Sequence, residues 1–319
     1  MPRALSGLLR SAAFAAVLCS VARAADSPPP ATGAQSSADT DDAYDTAKAL
    51  FDQYAPPEVK EQYYFPSRQQ FNAFLRDLQA AYDGNSLAAL AQREPDVRNA
   101  LAALRAAPGQ SDYADWLSGR ADEVQVARSI VEAERVHPSP PPTRKPSAGG
   151  LPVVPYYDLW YRRLQNRPAP ANAGELMGRL RSAFAAEGVP PDLAWLAEVE
   201  SSLNPNAHNP SGARGLFQLK ASTAQGLGLS TFLPDDRTDP ERSAHAAARL
   251  LRKLKAQFGS WPLAIAAYNA GPGRVEQSLG SSRRRSFADI ASSLPAGTRI
   301  YVPEVCALVS VRTGRPFAR

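Results

Sequence analysis

The sequence predicts a mainly α-helical protein, with a small helical module ahead of a larger helical domain. Three observations carry this. Apolar residues recur at three- and four-residue spacing through most of the 319-residue chain, strand-like alternation is scarce, and two proline-rich stretches interrupt the pattern. One small hairpin is the most β structure the pattern allows.

Residues 1–24 have the layout of an export signal. Arg3 and Arg10 form a basic start, residues 11–21 are an apolar run too short to span a bilayer, and Ala22-Arg23-Ala24 is an A-x-A cleavage site. A buried or anchoring helix is the competing reading. Leu18 stands before Cys19 where a lipoprotein anchor calls for a small residue. Past the signal Cys306 is the only thiol, which excludes a cystine framework. Residues 25–40, rich in Pro, Ser and Ala, read as a disordered leader.

Residues 41–136 read as a helical module. In "SRQQFNAFLRDLQAAYD", Phe71, Phe74, Leu75, Leu78 and Tyr82 fall at helical spacing, and Ser67 with Gln70 makes a capping box. Further helices are expected near 41–54, 85–93, 96–106 and 112–135. No nucleophile, metal cluster or phosphate loop stands here, so the sequence assigns the module no role. "HPSPPPTRKPSAGG" at 137–150 has the composition of an interdomain linker.

Residues 151–319 form the larger domain, with helices expected at 155–166, 174–187, 191–203, 240–258, 262–270 and 298–311. Gly259 is placed to end one helix, and Ser260-Trp261-Pro262 to open the next. This part holds 21 Lys+Arg against 13 Asp+Glu, whereas residues 25–150 hold 12 against 18. Such a basic surface would be drawn to an acidic polymer, and a plainly solvated surface explains it as well.

The chemistry centres on "LAWLAEVESSLNP" at 193–205. On one helix at about 100° per residue, Leu193, Leu196 and Ala197 share a stripe that Glu200 joins, and Glu198 faces solvent. A carboxyl group on an apolar stripe is disfavoured when charged, so its pKa rises toward what a general acid needs. The alternative is a rim position, with Glu200 paired to an arginine.

Four ordered motifs follow: Glu200-Ser201, "GARGLFQ", "AYNAGPGRV", and Tyr301 in "IYVPEV". In them, over about residues 151–315, the chain resembles the catalytic domain of the soluble lytic transglycosylases, in the goose-type lysozyme-like superfamily. "LPAGTRIYVP" resembles the membrane-bound D-type members. The resemblance implies a lysozyme-like helical domain that cleaves the β-1,4 bond between N-acetylmuramic acid and N-acetylglucosamine in peptidoglycan. It implies that Glu200 is first acid and then base, with the muramoyl 6-hydroxyl as internal nucleophile, so that no second carboxylate is required. A hydrolase on the same fold, and a wall-binding scaffold without activity, are the other two readings.

The resemblance also implies substrate-binding roles. Ser201 would orient Glu200 or bond its own helix, and Gly215 would admit a sugar or serve a turn. Gln218 would reach sugar hydroxyls or an N-acetyl group. Tyr268 and Tyr301 would bring phenols to Glu200 or belong to the core, and Asn269 would bind substrate or cap its helix. Asn209 stands where many members have serine, and Phe217 replaces a common methionine, which would make that groove wall stiffer and flatter. Glycan strands of peptidoglycan are the expected partner, in the periplasm or cell envelope, with no nucleic acid partner.

Other constellations carry less. His137, His208 and His245 are scattered, and no ligand spacing for a metal is present, so neither metal nor cofactor is expected. Asp235, Asp236 and Asp239 suit helix capping. Cys306 sits in an apolar run and reads as core. Arg283-Arg284-Arg285 reads as a solvated loop.

Overall fold

The computed structural model describes residues 44, 45, 48, 52, 67–98, 101, 111–136, 154–207, 212–280 and 286–317. The expected signal, leader and linker, and Asn209, lie outside the described residues. So does most of the helix expected at 41–54.

The helices, in chain order, begin with α1 (Arg68–Asp83), α2 (Leu87–Ala91), α3 (Ser111–Val136) and α4 (Tyr157–Leu164). There follow α5 (Ala173–Ala186), a 3-10 turn at Pro191–Trp195, and α6 (Leu196–Ser201). Next come α7 (Ala221–Gly226), α8 (Pro240–Phe258), α9 (Trp261–Ala270), α10 (Pro272–Leu279), α11 (Phe287–Ile290) and α12 (Ala296–Thr313). The only ladder pairing among the described residues is an isolated bridge between Arg214 and Leu219, the trace of the hairpin allowed for above.

Local chemistry sets several of the ends. Ser67 and Gln70 form the predicted capping box of α1. Asp239 accepts from the amides of Glu241 and Arg242 to start α8, and Pro240 follows it at the first turn. Gly259 ends that helix, and the Ser260 hydroxyl accepts from the Leu263 amide to open α9. Three helices were not expected: α7, α10 and α11 run for only 6, 8 and 4 residues, too short for periodicity to register.

The core is organised around α12. Every residue from Ala296 to Ser310 except Arg299 is buried, as a helix without a polar face must be. Helices α1, α3, α4, α6 and α9 all pack on it. Pro303 lies inside it and lacks the N–H that would bond the Arg299 carbonyl. The amphipathic α8 turns Ala244, Ala247, Ala248, Leu251 and Leu254 inward, against α5 and α9.

The N-terminal helices are joined directly to this core. The Ala296 amide donates to the Gly84 carbonyl at 2.6 Å. The Tyr82 ring lies over Gly297, where an added Cβ would stand 2.6 Å from Cδ1 of Tyr82. Ion pairs join Asp83 to Arg274 at 3.7 Å and Asp122 to Arg163 at 2.6 Å, and Arg167 also pairs with Asp122. Part of the charge imbalance between the two halves is thus neutralised inside the chain.

Candidate active site

The segment around the two glutamates is two elements rather than one helix. Pro191–Trp195 is a 3-10 turn, and α6 begins at Leu196 and ends after one and a half turns at Ser202, which takes a left-handed conformation (φ 52°). Leu203 follows at φ 60° and is fully buried. Two consecutive non-glycine residues in this region store backbone strain, which the surrounding packing holds in place.

The expectation for Glu198 is corrected. It is not solvated: it is buried and forms an ion pair with Arg312, Nη2 to Oε1 at 2.5 Å and Nε to Oε2 at 2.8 Å. α6 has no wet face, because it is an interior element with α12 and α3 packed around it. Its outer face is an inter-helix contact.

Glu200 is half-buried and faces a cavity of about 390 Å³. Burial pushes its pKa up to about 7. A hydrogen bond from the Tyr301 hydroxyl to Oε1 and the charge of Arg120 oppose that rise, and Glu123 adds to it. Burial, and after it the charge of Glu200, raises Tyr301 well above the usual phenol value, so the hydroxyl remains a donor.

The other expected residues divide. Ser201 lines the cavity, its hydroxyl 3.0 Å from the Ala197 carbonyl and 2.9 Å from that of Leu216. It therefore ties α6 to the 212–219 loop. Gln218 also lines the cavity, at φ 45°, and its amide donates to the carbonyls of Ala207 and Gly215. The Tyr268 hydroxyl donates to the Phe217 carbonyl at 2.6 Å, and Glu200 adds to burial in raising its pKa. Asn269 is exposed and accepts from the Thr298 hydroxyl at 2.8 Å.

Phe217 sits differently from expectation, and Gly215 takes the turn reading of its two. The Phe217 side chain is fully buried against Phe184, with ring centroids 5.5 Å apart, so its ring belongs to the core and not to a groove wall. Gly215 has φ +77°, and an added Cβ would stand 1.8 Å from the Arg237 carbonyl oxygen. What approaches this glycine is the protein's own backbone.

Sequence reasoning missed one wall of the cavity. Arg120 and Glu123, from α3, line it together with Glu304 of α12. Arg120 pairs with Glu123 at 2.8 Å and lies over the Tyr82 ring at 5.0 Å. Nothing in the α3 sequence announces this, since the contact depends on how the helix docks. Glu304 was detectable, as the one charged residue of the apolar run "IYVPEVCALVSV".

Among the described residues, no group of His, Cys, Asp and Glu could hold a metal ion, and no helix is long and apolar enough to cross a membrane.

Residues 181–291 match the transglycosylase SLT domain. Over 127 residues it is 35% identical to the membrane-bound lytic murein transglycosylase D of Escherichia coli K12, which covers 39% of this chain and 28% of that protein. It is 38% identical over 120 residues to the soluble lytic murein transglycosylase of Salmonella typhimurium, or 35% of this chain and 19% of that protein. The lytic transglycosylase Slt of Pseudomonas aeruginosa aligns over 86% of this chain and 50% of its own at 18% identity, with a TM-score of 0.41. The matched stretch makes up less than a third of either curated relative. Glu200, Ser201, Gly215, Gln218, Tyr268 and Asn269 lie inside the SLT match. Tyr301, Glu304 and Arg120 lie outside it.

Proposed function

We propose that this protein is a peptidoglycan lytic transglycosylase. It cleaves the bond between N-acetylmuramic acid and N-acetylglucosamine and leaves a 1,6-anhydromuramic acid end. The observation that carries this reading is Glu200, a carboxyl group at the cavity whose pKa near 7 lets it both give and take a proton.

Protonated Glu200 donates to the glycosidic oxygen as the bond to the anomeric carbon breaks. The resulting carboxylate then takes the proton of the muramoyl 6-hydroxyl, whose oxygen closes on that carbon. No water is consumed, because the nucleophile belongs to the same sugar and gains from proximity. Tyr301 stabilises the carboxylate between the two transfers. Ser201, Gln218 and Tyr268 support this geometry by tying α6, the 212–219 loop and α9 together. Neither metal nor cofactor enters the scheme.

In the same reading, residues 1–24 direct export to the cell envelope and residues 151–319 carry the catalysis. The module within 41–136 completes the cleft through α3. Mass spectrometry of purified sacculi digested by the mature protein tests the reaction. Anhydro-muropeptides are the expected products. Hydrated muropeptides would make the protein a hydrolase, and no release of either kind would remove the enzymatic reading.

A further inference from the structure

Glu304 stands apart from the other carboxyl groups at the cavity. Asp122 is held by Arg163 and Arg167, Glu123 by Arg120, Glu198 by Arg312, and Glu200 by Tyr301. Glu304 is only 5% exposed, lines the same cavity, and has its Oε2 buried without a hydrogen-bond partner among the described residues. It lies one helical turn beyond Tyr301 on α12. A buried polar atom left unsatisfied is costly, so one on a carboxyl group that borders a ligand-sized cavity calls for a partner that arrives with the ligand.

The surroundings state which form Glu304 takes. Burial raises its pKa well above the usual carboxyl value, and Glu123 and Asp122 add to this, while Arg167 and Arg120 oppose it. Both of those arginines are already engaged by carboxylates. Burial and the two neighbouring carboxylates thus favour the protonated form, in which the carboxyl donates, and the partner that form suits is an uncharged oxygen.

We propose that Glu304 is a substrate-binding residue, whose carboxyl donates a hydrogen bond to an uncharged acceptor oxygen of the bound glycan, an N-acetyl carbonyl or a sugar hydroxyl, at the end of the cleft walled by α3. This extends the transglycosylase reading to a residue outside the SLT match. It rests on that reading for the identity of the ligand.

The test measures binding in the full mature chain carrying Glu200→Gln, so that it does not depend on turnover. Calorimetry with the tetramer of N-acetylglucosamine compares Glu304, Glu304→Gln and Glu304→Leu. Glutamine keeps a donor and should hold the Kd within about twofold, whereas leucine should weaken binding about five- to tenfold, the worth of one hydrogen bond. Leucine should also leave the Tm unchanged or raise it, because it removes an unsatisfied atom. Glu304→Met, unbranched and of similar length, serves if the leucine variant does not fold. Cellotetraose, which lacks the acetamido group, separates the two acceptors. If the leucine effect disappears with it, the acceptor is the N-acetyl carbonyl; if it persists, the acceptor is a hydroxyl.

An unchanged Kd in both apolar variants would overturn the proposal. So would equal losses in the glutamine and leucine variants, which would mean that a carboxylate is needed and not a donor. Absent muropeptide release with Glu304-dependent sugar binding intact would fault the transglycosylase reaction and leave this site standing.

Discussion

The Tyr301 hydroxyl donates to Oε1 of Glu200 across 101 positions of sequence, from the central helix α12 to the short helix α6. This bond favours the charged form of Glu200 and so works against the burial that keeps it protonated. It strengthens as the proton leaves. Tyr301→Phe should therefore raise the pKa of Glu200, and the basic limb of the pH–rate profile should move to higher pH. At its optimum, kcat should fall about tenfold or more, since a hydrogen bond to a charged group is worth about 1.5–3 kcal/mol. A limb that moves to lower pH would show that the phenol is not a donor to the carboxylate.

Burial of Glu200 also makes stability depend on pH. The folded state keeps the proton up to about pH 7, whereas an unfolded glutamate releases it near 4.5. Between those values the native state binds more protons, so stability falls as pH rises through the window. Glu200→Gln does not titrate. Relative to that variant, the wild type should lose up to about 3 kcal/mol between pH 4.5 and pH 8, less whatever solvent at the cavity screens. Urea unfolding of both proteins at the two pH values measures this, and parallel pH dependences would mean that Glu200 is not perturbed.

Arg120 and Glu123 act on Glu200 with opposite signs, although they pair with each other. Arg120→Gln should move the basic limb of the pH–rate profile to higher pH, and Glu123→Gln should move it to lower pH. Both variants keep side chains of similar size at the wall. Shifts in the same direction would mean that α3 acts through packing instead of charge.

The Glu198–Arg312 pair is buried on both sides, and Arg312 also donates to the carbonyls of Arg167 and Pro168. Arg312→Ala should cost about 3–5 kcal/mol in chemical unfolding, because an unpaired charge remains in the core. Glu198→Leu combined with Arg312→Met should recover much of that loss. A cost below 1 kcal/mol for the single variant would place Glu198 in contact with water.

Gly215→Ala separates the two roles considered for that glycine. With the Arg237 carbonyl oxygen where a Cβ would go, and with φ at +77°, the loop must shift, at roughly 2–4 kcal/mol. Thermal unfolding should register this with no sugar present. An alanine variant of native Tm but impaired turnover would restore the sugar-approach role.

The sequence by itself determined the helical class and several helix ends, and it singled out the candidate acid. Caps such as Ser67, Asp239, Gly259 and Ser260 are local chemistry, legible wherever they occur. Glu200 stood out because an apolar stripe ran into it. What the tertiary structure decided was surroundings. Periodicity assumes one wet face and one dry face, and this held for α8 but not for α6, which is enclosed by α3 and α12, so Glu198 became a core ion pair. Phe217 went to the core for a related reason, since a residue at a loop end has no periodicity to say which way it points. The α3 wall and the unsatisfied carboxyl of Glu304 exist only because two distant helices meet across one cavity, a relation of packing that no local window of residues contains.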